Sequence, residues 1–373
     1  MIIFYVIIIL YVIVISTLIF GFYKMKTETL KDITPEVKFS IVIPFRDEAE
    51  NLPELLKSLE QLNYPKNLFE VLLINDNSLD NSLTIVESFK NNSTINHTIL
   101  NASSTSVSPK KDALTQAINL AKNEWIITTD ADCVFSVNWL KSYNQHIKEN
   151  NSKFIAGPVA YTKPDFFFKI FQLLDFTSLI GVTIGCFGLK KPIMCNGANV
   201  GFKKKLFQQL NGYNGNTNLA SGDDVFLLEK ALVNNKHQVN YLKNYHAIVY
   251  TKPVNTFKKL VAQRIRWASK TSKTKSVFSK LLGLLVLATN GFWVILLLGS
   301  IIDEFTFKQL LIYTTLKLII DFVLIYQALL FLSQEQYFRY VWLSSIIYPF
   351  FSIYVGVLSL FGGYKWKNRA YKH

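Results

Sequence analysis

The chain has 373 residues and a formal net charge of +14, and half of its residues are hydrophobic. This length allows two ordinary domains. The three cysteines, Cys133, Cys186 and Cys195, are an odd number without metal-ligand spacing, which argues against a disulfide framework and a zinc site. The basic residues flank apolar segments, where they are expected to face anionic headgroups, so no nucleic-acid partner is predicted.

The N-terminal segment is predicted to be an uncleaved membrane anchor. No charged residue occurs between Ile2 and Gly21, and about 20 apolar residues suffice for a helix that crosses the hydrocarbon core. A cleaved signal peptide would carry positive charge before its apolar core, whereas here Lys24 and Lys26 follow it. We therefore predict a transmembrane helix over residues 1–23.

The C-terminal part of the chain is also apolar. Leu281–Ile302 and Val341–Tyr364 contain no charge, and Gln309–Leu332 contains only two charges, which lie four residues apart and can neutralise each other on one helix face. Those two residues are Lys317 and Asp321. We predict a membrane region of two or three spans over residues 281–364.

Basic residues next to the spans predict which side of the membrane each part occupies. They are Lys24, Lys26, Lys258, Lys259, Arg264, Arg266, Lys270, Lys273, Lys275 and Lys280. By the positive-inside rule, residues 24–280 form a cytoplasmic domain of an integral protein of the cell (inner) membrane. Three C-terminal crossings would place the basic tail, residues 365–373, outside. One C-terminal segment is therefore expected to be re-entrant or interfacial, and Leu281–Ile302 is the candidate because Asn290 and Gly291 interrupt it.

Residues 24–280 read as an α/β domain. Strands and helices are predicted to alternate along the first half of this segment, at Phe39–Pro44, Glu48–Leu62, Phe69–Asn75, Asn81–Phe89, Ala113–Ala121 and Trp125–Thr129. The polar stretch Asn91–Ser108 is expected to be loop or short strand. This order describes parallel βαβ units, which bind ligands beyond the carboxyl ends of their strands.

Acidic residues follow the predicted strands. Glu48 follows the first strand, Asp76 the second, and Asp130 and Asp132 the strand at Trp125–Thr129. Parallel topology would gather them along one edge of the sheet. An Asp-x-Asp pair there can direct one carboxylate towards a ribose and the other towards a divalent cation that neutralises a diphosphate, although an isolated triplet of this kind is more often a solvated turn.

A further apolar stretch spans about residues 166–189. It carries Lys169 and Asp175 early and glycines later, which favours a helix that lies in the membrane interface over one that crosses.

Six sequence blocks carry a family resemblance. In chain order they read IVIPFRDEAENL, EVLLINDNSLDNS, SPKKDALTQAINLAKNEWIITTDAD, NGANVGFKKKLFQQLNGY, ASGDDVFLL and QRIRW, over about residues 38–268. Together they resemble the family 2 glycosyltransferases. The resemblance implies a GT-A catalytic domain, Rossmann-like with a mainly parallel sheet, plus transmembrane helices at both ends. It also implies Mg²⁺ or Mn²⁺ beside a nucleotide-sugar donor.

The resemblance implies donor-side roles for acidic and basic side chains: Glu48, Asp76, Lys110, Asp130 and Arg266. Glu48 and Asp76 match contacts to the base and ribose, and Asp132 with Asp130 matches the metal motif. One departure is Asn75, where relatives often carry aspartate. Glu48 could instead be an acid of a helix first turn, favoured by the helix dipole.

The block SGDDV resembles the Gly-Glu-Asp motif, whose last acid is the catalytic base. Asp224 matches that base, and Asp223 stands where the family usually has glutamate. Inverting transfer needs a carboxylate that takes the proton of the acceptor hydroxyl. Alternatively, either acid could cap the helix that follows.

Acceptor-side residues are implied by two further blocks. Asn196 and Gly197 match a loop before the catalytic acid, where glycine permits close backbone approach. Gln263 and Trp267 belong to a Gln-x-x-Arg-Trp signature in which Arg266 would face the departing diphosphate. A basic helix with an interfacial tryptophan would explain part of this pattern.

The sequence thus predicts an inverting, metal-dependent glycosyltransferase that uses a nucleotide sugar, expected to be a UDP-sugar, and a membrane-associated lipid-linked or glycan acceptor. A processive polysaccharide synthase is the alternative within the same class. A catalytically inactive, membrane-tethered binding protein is the alternative from another class, and the retained acids Asp130, Asp132 and Asp224 argue against it.

Overall fold

The computed structural model describes residues 2–103, 106–217, 219, 221–302, 304–361, 364–366 and 369–371. The chain divides into two compact units. The helical unit contains Met1–Met25, Lys163–Ile193 and Pro253–His373, and the sheet unit contains Lys26–Thr162 and Met194–Lys252. Two parts of the predicted soluble segment, Lys163–Ile193 and residues 253–280, therefore group with the helical unit.

The sheet unit is built around strands that occur in this order: β1 (Phe39–Phe45), β2 (Phe69–Asn75), β3 (His97–Asn101), β4 (Trp125–Thr128), β5 (Val134–Phe135), β6 (Phe154–Ala156), β7 (Val159–Tyr161), β8 (Val200–Lys203), β9 (Val239–Tyr241) and β10 (Val249–Thr251). Seven of them form one sheet with the order β3-β2-β1-β4-β8-β6-β9. Strand β8 runs antiparallel to β4 and β6, and the other neighbours are parallel. This is a mixed α/β, GT-A-like arrangement with a mostly parallel central sheet.

Strands β1, β2 and β4 confirm the three predicted strands. Their residues are almost all buried, as expected for near-continuous apolar runs in a sheet covered on both faces. Because β1 is parallel to both β2 and β4, the carboxyl ends of all three strands meet at one edge. Strand β3 lies within the polar stretch for which a loop or short strand was predicted.

The α-helices, in chain order, are α1 (Ile2–Lys24), α2 (Leu52–Glu60), α3 (Ser82–Asn92), α4 (Pro109–Leu120), α5 (Trp139–Glu149), α6 (Phe167–Gly188), α7 (Lys204–Gln209), α8 (Asp223–Asn235), α9 (Phe257–Lys273), α10 (Val277–Ile301), α11 (Phe307–Phe331) and α12 (Val341–Phe361). Helices α2, α3 and α4 confirm the three predicted helices of the βαβ units. Helix α2 begins four residues later than predicted, because residues 46–51 form the turn that leaves β1.

A second, three-stranded sheet has the order β5-β10-β7. Strand β5 follows the Asp130–Asp132 turn, and antiparallel pairing with β10 sets Phe135 opposite Val249. This pairing brings Thr251, far along the chain, to the acidic turn that follows β4.

The helical unit contains long apolar helices. Within the described ranges, five segments are long and apolar enough to cross a membrane by length and composition: α1, α6, α10, α11 and Glu335–Phe361, which includes α12. Helix α10 continues through Asn290 and Gly291, so the predicted interruption there is wrong. The Asn290 amide donates to the carbonyl of Val286 at 3.0 Å and therefore does not break the helix.

Two ion pairs are buried in the helical unit. Lys317 Nζ lies 2.7 Å from Asp321 Oδ2, which confirms the predicted neutralisation, and the Tyr11 hydroxyl of α1 donates to the other Asp321 oxygen at 2.6 Å. Arg264 Nε of α9 donates to Asp175 Oδ2 of α6 at 2.6 Å. Asp175 of α6 thus has its partner on a neighbouring helix, and Lys317 and Asp321 are partners within α11.

Helices α1 and α6 touch through glycines. A Cβ at Gly185 would lie 2.5 Å from the Leu18 carbonyl oxygen, and a Cβ at Gly188 would lie 1.9 Å from that of Gly21. Only glycine allows the two backbones to approach this closely. The contact explains why Gly185 and Gly188 are glycines. Most residues of α6 are buried.

The C-terminus folds back beside α9. Strand β11 (Tyr364–Trp366) pairs antiparallel with β12 (Arg369–Tyr371), and β11 contacts α9. Two residues of the predicted basic tail, Lys367 and Lys372, lie outside the described residues.

Candidate active site

The predicted acidic residues of the sheet unit converge at the carboxyl edge of β1, β2 and β4. Asp76 directly follows β2, Glu48 lies three residues after β1, and Asp130 and Asp132 follow β4. The charges of Asp130 and Glu48 both act on the Asp132 carboxyl, which shows that these groups are close. The edge therefore carries a concentrated negative charge.

The loops after β1 and β2 are tied to each other. Arg46 Nη1 donates to the Asp76 carbonyl at 2.7 Å, and Asp47 Oδ1 accepts from the Leu79 amide at 2.7 Å. Asp47 and Asn77 both adopt left-handed backbone conformations, with φ of 50° and 54°. These short polar side chains tolerate that region better than most, and their turns aim Glu48 and Asp76 at the same edge.

Glu48 is not an acid of a helix first turn. Helix α2 begins at Leu52, and the Glu48 carboxylate accepts a hydrogen bond from Asn51 Nδ2 at 2.6 Å. The main chain of Glu48 is fixed as well, since its amide donates to Ser82 Oγ at 2.8 Å. The helix-dipole explanation therefore does not account for this residue.

Asp132 has the most perturbed carboxyl of the acidic edge. Burial raises its pKa to about 6, and the negative charges of Asp130 and Glu48 act in the same direction. Thr251 Oγ donates to Asp132 Oδ2 at 3.1 Å and partly offsets this shift. A nearby cation would relieve the repulsion and favour the ionised form.

Lys110 joins the acidic edge to the start of α8. Its Nζ lies 2.7 Å from Asp130 Oδ1 and 3.3 Å from Asp223 Oδ2. Burial disfavours the ammonium, but the two carboxylates outweigh burial and raise the pKa of Lys110 above its ordinary value. The lysine is therefore charged and bridges Asp130 and Asp223, which belong to two sequence blocks that are distant along the chain.

Asp223 and Asp224 are the first two residues of α8. Gly222, which precedes them, has φ of +87°, a conformation that glycine adopts without strain. The Asp224 carboxylate accepts from the Val225 amide at 2.8 Å and from the Gly197 amide at 3.2 Å. The helix N-terminus stabilises both negative charges.

The loop at Asn196 and Gly197 lies against these acids. Asn196 Oδ1 accepts from the Ala198 amide at 3.1 Å, and Thr128 Oγ donates to the Gly197 carbonyl at 2.9 Å. A Cβ on Gly197 would lie 3.0 Å from Asp223 Oδ2. Glycine thus lets the backbone approach the carboxylates closely without displacing Asp223.

Asn199, at the end of the same block, has a structural role. It is fully buried, and its Oδ1 accepts from Trp139 Nε1 and the Tyr143 hydroxyl at 3.1 and 2.9 Å. Its Nδ2 donates to the carbonyls of Pro158 and Ala247 at 2.8 Å each. All four hydrogen-bonding positions of the amide are used, so Asn199 connects four parts of the sheet unit.

Gln263, Arg266 and Trp267 lie on α9, in the helical unit. There the Arg264 guanidinium stacks 4.2 Å from the Trp267 ring centroid and donates to Gln263 Oε1. Phe176 of α6 also packs against Trp267. The donor-side role of Arg266 and the acceptor-side roles of Gln263 and Trp267 stay predictions.

Sequence reasoning missed Thr128 and Thr251, which orient the site through single hydroxyl bonds. No sequence pattern marks either threonine as a site residue, because threonine is common in strands for its β propensity alone. Their roles follow only from the strand pairing that brings them to the acidic edge.

Comparison with known proteins finds a family that matches part of this chain. Residues 40–210 match Glycosyl transferase family 2. The match covers β1 to β8 and ends before Asp223 and Asp224. It supports a family 2 glycosyltransferase domain, and hence a transferase, in this part of the chain.

Two curated relatives are similar over parts of their length. A poly(ribitol-phosphate) β-N-acetylglucosaminyltransferase of Staphylococcus aureus is 32% identical over 116 residues, which are 31% of this chain and 20% of the relative. A poly-β-1,6-N-acetyl-D-glucosamine synthase of Staphylococcus epidermidis is 27% identical over 235 residues, 61% of this chain and 53% of the relative. The chain thus spans between a fifth and about half of the length of these relatives.

One solved structure is similar over nearly the whole chain. The mannosyltransferase of Pyrobaculum calidifontis, solved with GDP-Man and Mn²⁺, has a TM-score of 0.55 and 15% identity. The similarity covers 92% of this chain and 95% of the mannosyltransferase. At this identity it shows a common fold.

We expect Asn199→Asp to destabilise the sheet unit by about 2–4 kcal/mol, because two donors become acceptors that face the Pro158 and Ala247 carbonyls. The free energy of unfolding from chemical denaturation would measure this effect. Asn63→Asp is the matched control, since the Asn63 amide is exposed and makes one long side-chain contact. Equal stability of the two variants would contradict the structural role of Asn199.

Proposed function

We propose that this protein is an inverting, metal-dependent glycosyltransferase that moves a sugar from a UDP-sugar to a membrane-associated, lipid-linked acceptor. The observation that carries the proposal is the Lys110 bridge between Asp130 and Asp223, because it couples the donor-side acids to the acids at the start of α8. The relatives named above form β-linked products, as inversion of an α-linked nucleotide sugar would.

The reaction assigned to these residues is a single displacement. The acceptor oxygen attacks the anomeric carbon, the bond from that carbon to the diphosphate breaks, and Asp224 takes the acceptor proton. The amides of Gly197 and Val225 orient the Asp224 carboxylate for this role. Glu48 and Asp76 would hold the base and ribose at the ends of β1 and β2.

The acidic edge fits a divalent cation. Within the described residues, no group of three or more His, Cys, Asp or Glu side chains could hold a metal by itself. Mg²⁺, however, is usually held by one or two carboxylates together with waters and substrate phosphates. Asp132 and Asp130 supply the carboxylates, and the raised pKa of Asp132 indicates a position where added positive charge is stabilising. A bound cation would neutralise the leaving diphosphate.

Membrane attachment is part of the proposal. Helix α6 joins β7 to the turn before β8, and both strands belong to the sheet unit. A helix of 22 residues that crossed the bilayer would separate its two ends by about 33 Å. Residues 189–199 would then have to return through lipid as an irregular segment, whose backbone groups would lack hydrogen-bond partners there. This supports an interfacial α6.

The position of the C-terminus supports the expectation that one C-terminal segment does not cross. Helix α9 carries six lysines and arginines, is too polar to cross, and directly follows the sheet unit. Because β11 contacts α9, the C-terminal hairpin lies on the same side of the membrane. With an even number of crossings after α9, β11 and α9 lie on the same side of the membrane, and the basic tail is inside.

We expect the sheet unit to be cytoplasmic. A Val233→Cys reporter, on an exposed position of α8, should resist a membrane-impermeant thiol reagent in intact cells and react after permeabilisation. With α10 and α11 taken as the two crossing helices, Ile302→Cys, exposed between them, is the matched control and should react in intact cells. Labelling of Val233→Cys from outside would reverse the topology.

A processive polysaccharide synthase is the second candidate, and the similarity to the Staphylococcus epidermidis synthase over 61% of this chain favours it. The two candidates differ in product length. Single transfer gives one added sugar per acceptor, whereas a processive enzyme gives a polymer while most acceptors remain unused.

The experiment that tests the function is a screen of the purified protein in detergent against UDP- and GDP-sugars, with and without extracted lipids. We expect Mn²⁺- or Mg²⁺-dependent release of UDP that increases when lipids are present. Asp132→Asn should abolish release and weaken donor binding, because it removes a negative ligand from the cation site. Full activity in excess chelator would contradict the metal requirement, and no release with any donor would contradict the function.

We expect Asp224→Asn to lower the transfer rate by about 100-fold or more, because it removes the proposed base while keeping the size of the side chain. Donor affinity should hardly change. Asp223→Asn should be the milder variant, since Asp223 is assigned to the Lys110 bridge. Transfer rates and donor binding, measured for both variants in one detergent, decide the assignment. A dead Asp223→Asn beside an active Asp224→Asn would move the base to Asp223.

A further inference from the structure

Lys111, next to the bridging Lys110, is a buried lysine without an assigned role. It is 1% exposed and lies in the first turn of α4. Placing an ammonium in the interior is costly unless its hydrogen bonds are satisfied. The hydrogen-bond partners of the Lys111 ammonium therefore indicate the role of this residue.

The Lys111 ammonium donates to three backbone carbonyls, those of Asn216, Leu219 and Ser221, at 2.7, 2.7 and 3.0 Å. All three belong to the segment that joins α7 to α8 and ends directly before Gly222. An ammonium has three protons to donate, so these bonds saturate it. One side chain thus holds the connecting segment at three points.

The same ammonium lies 5.4 Å from the centroid of the Phe226 ring on α8. Phe226 in turn packs on Gly222, where a Cβ would lie 2.5 Å from the ring. Lys111 therefore contacts both the segment before the two acids and the first turn of the helix that carries them. The acids Asp223 and Asp224 lie between these contacts.

A second lysine holds the earlier part of this segment. Lys230 Nζ donates to the carbonyls of Leu210, Gly212 and Asn214 at 3.2, 2.6 and 2.7 Å. Irregular segments have carbonyls that no ladder satisfies, and a lysine can satisfy several of them at once. Lys111 is the one whose carbonyl partners extend to Ser221, two residues before Asp223.

We propose that Lys111 is a positioning residue, which fixes the backbone before α8 so that Asp224 meets the acceptor hydroxyl. The inference rests on the proposed function and adds a residue that does not touch substrate. Loss of the ammonium leaves three carbonyls without their donor and frees the segment. Acceptor binding should then be weakened more than donor binding, because the donor-side residues are held by β1, β2 and β4.

The test compares Lys111→Met, which keeps the aliphatic length, with Lys111→Arg, which keeps the charge and donors. For Lys111→Met we expect faster amide exchange at described residues of the segment, among them Thr217, Leu219 and Gly222. We also expect a KM for acceptor raised by about tenfold or more, with the Kd for donor changed by less than about twofold. Lys111→Arg should recover most of the acceptor KM. Lys204→Met is the matched control, because Lys204 also donates to two carbonyls, those of Asn119 and Ala121, at the other end of α4.

Unchanged amide exchange in Lys111→Met, or equal weakening of donor and acceptor, would overturn the inference. So would an equal effect of Lys204→Met on acceptor KM. If Lys111→Met does not fold, Lys111→Gln replaces it in the same comparison. Absence of transfer by the unmodified protein would overturn the proposed function, whereas transfer with a normal acceptor KM in Lys111→Met would overturn this inference alone.

Discussion

The candidate site depends on one charged contact, the Lys110 ammonium between Asp130 and Asp223. Burial raises the pKa of Asp132, and the negative charges of Asp130 and Glu48 act in the same direction. The Lys110 ammonium lies between Asp130, after β4, and Asp223, at the start of α8, and offsets part of this negative charge. The bridge also links two chain segments that no strand pairing connects directly, so the start of α8 is held in register with the turn after β4.

The backbone then gives the two acids at the start of α8 different hydrogen-bond partners. Asp224 has its oxygens fixed by the Gly197 and Val225 amides, whereas Asp223 faces Lys110. Two adjacent residues of the same type therefore have different surroundings. This difference comes from the close approach of the Gly197 backbone, where an added Cβ would lie 3.0 Å from Asp223 Oδ2.

Two ion pairs of the helical unit, Arg264 with Asp175 and Lys317 with Asp321, likewise place opposite charges next to each other. A buried ion pair is costly to form and still more costly to break, because breaking it leaves one charge unpaired. Arg264, paired with Asp175, is also stacked on Trp267 and bonded to Gln263. Gln263 and Trp267 of the Gln-x-x-Arg-Trp signature thus both contact Arg264, an arginine that the signature does not specify.

The sequence by itself determined the features that depend on local pattern. Apolar runs predicted β1, β2 and β4, because a strand buried on both faces must be apolar throughout. Long apolar runs with few or no charges predicted the long helices. The position of Glu48, Asp76, Asp130 and Asp132 at one edge followed from parallel topology. The Lys317 and Asp321 pair followed from a spacing of four residues.

Only the tertiary structure decided the contacts between distant segments. The carbonyl partners of Lys111 lie more than 100 residues away, and the side-chain partners of Asn199 come from three separate segments, so no local pattern marks either residue. The interruption predicted at Asn290 failed for the same reason, since a helix continues through a polar residue when its side chain finds a carbonyl partner. Local sequence reports propensity and periodicity, whereas a buried polar group takes its role from whichever partners the fold places within hydrogen-bonding distance.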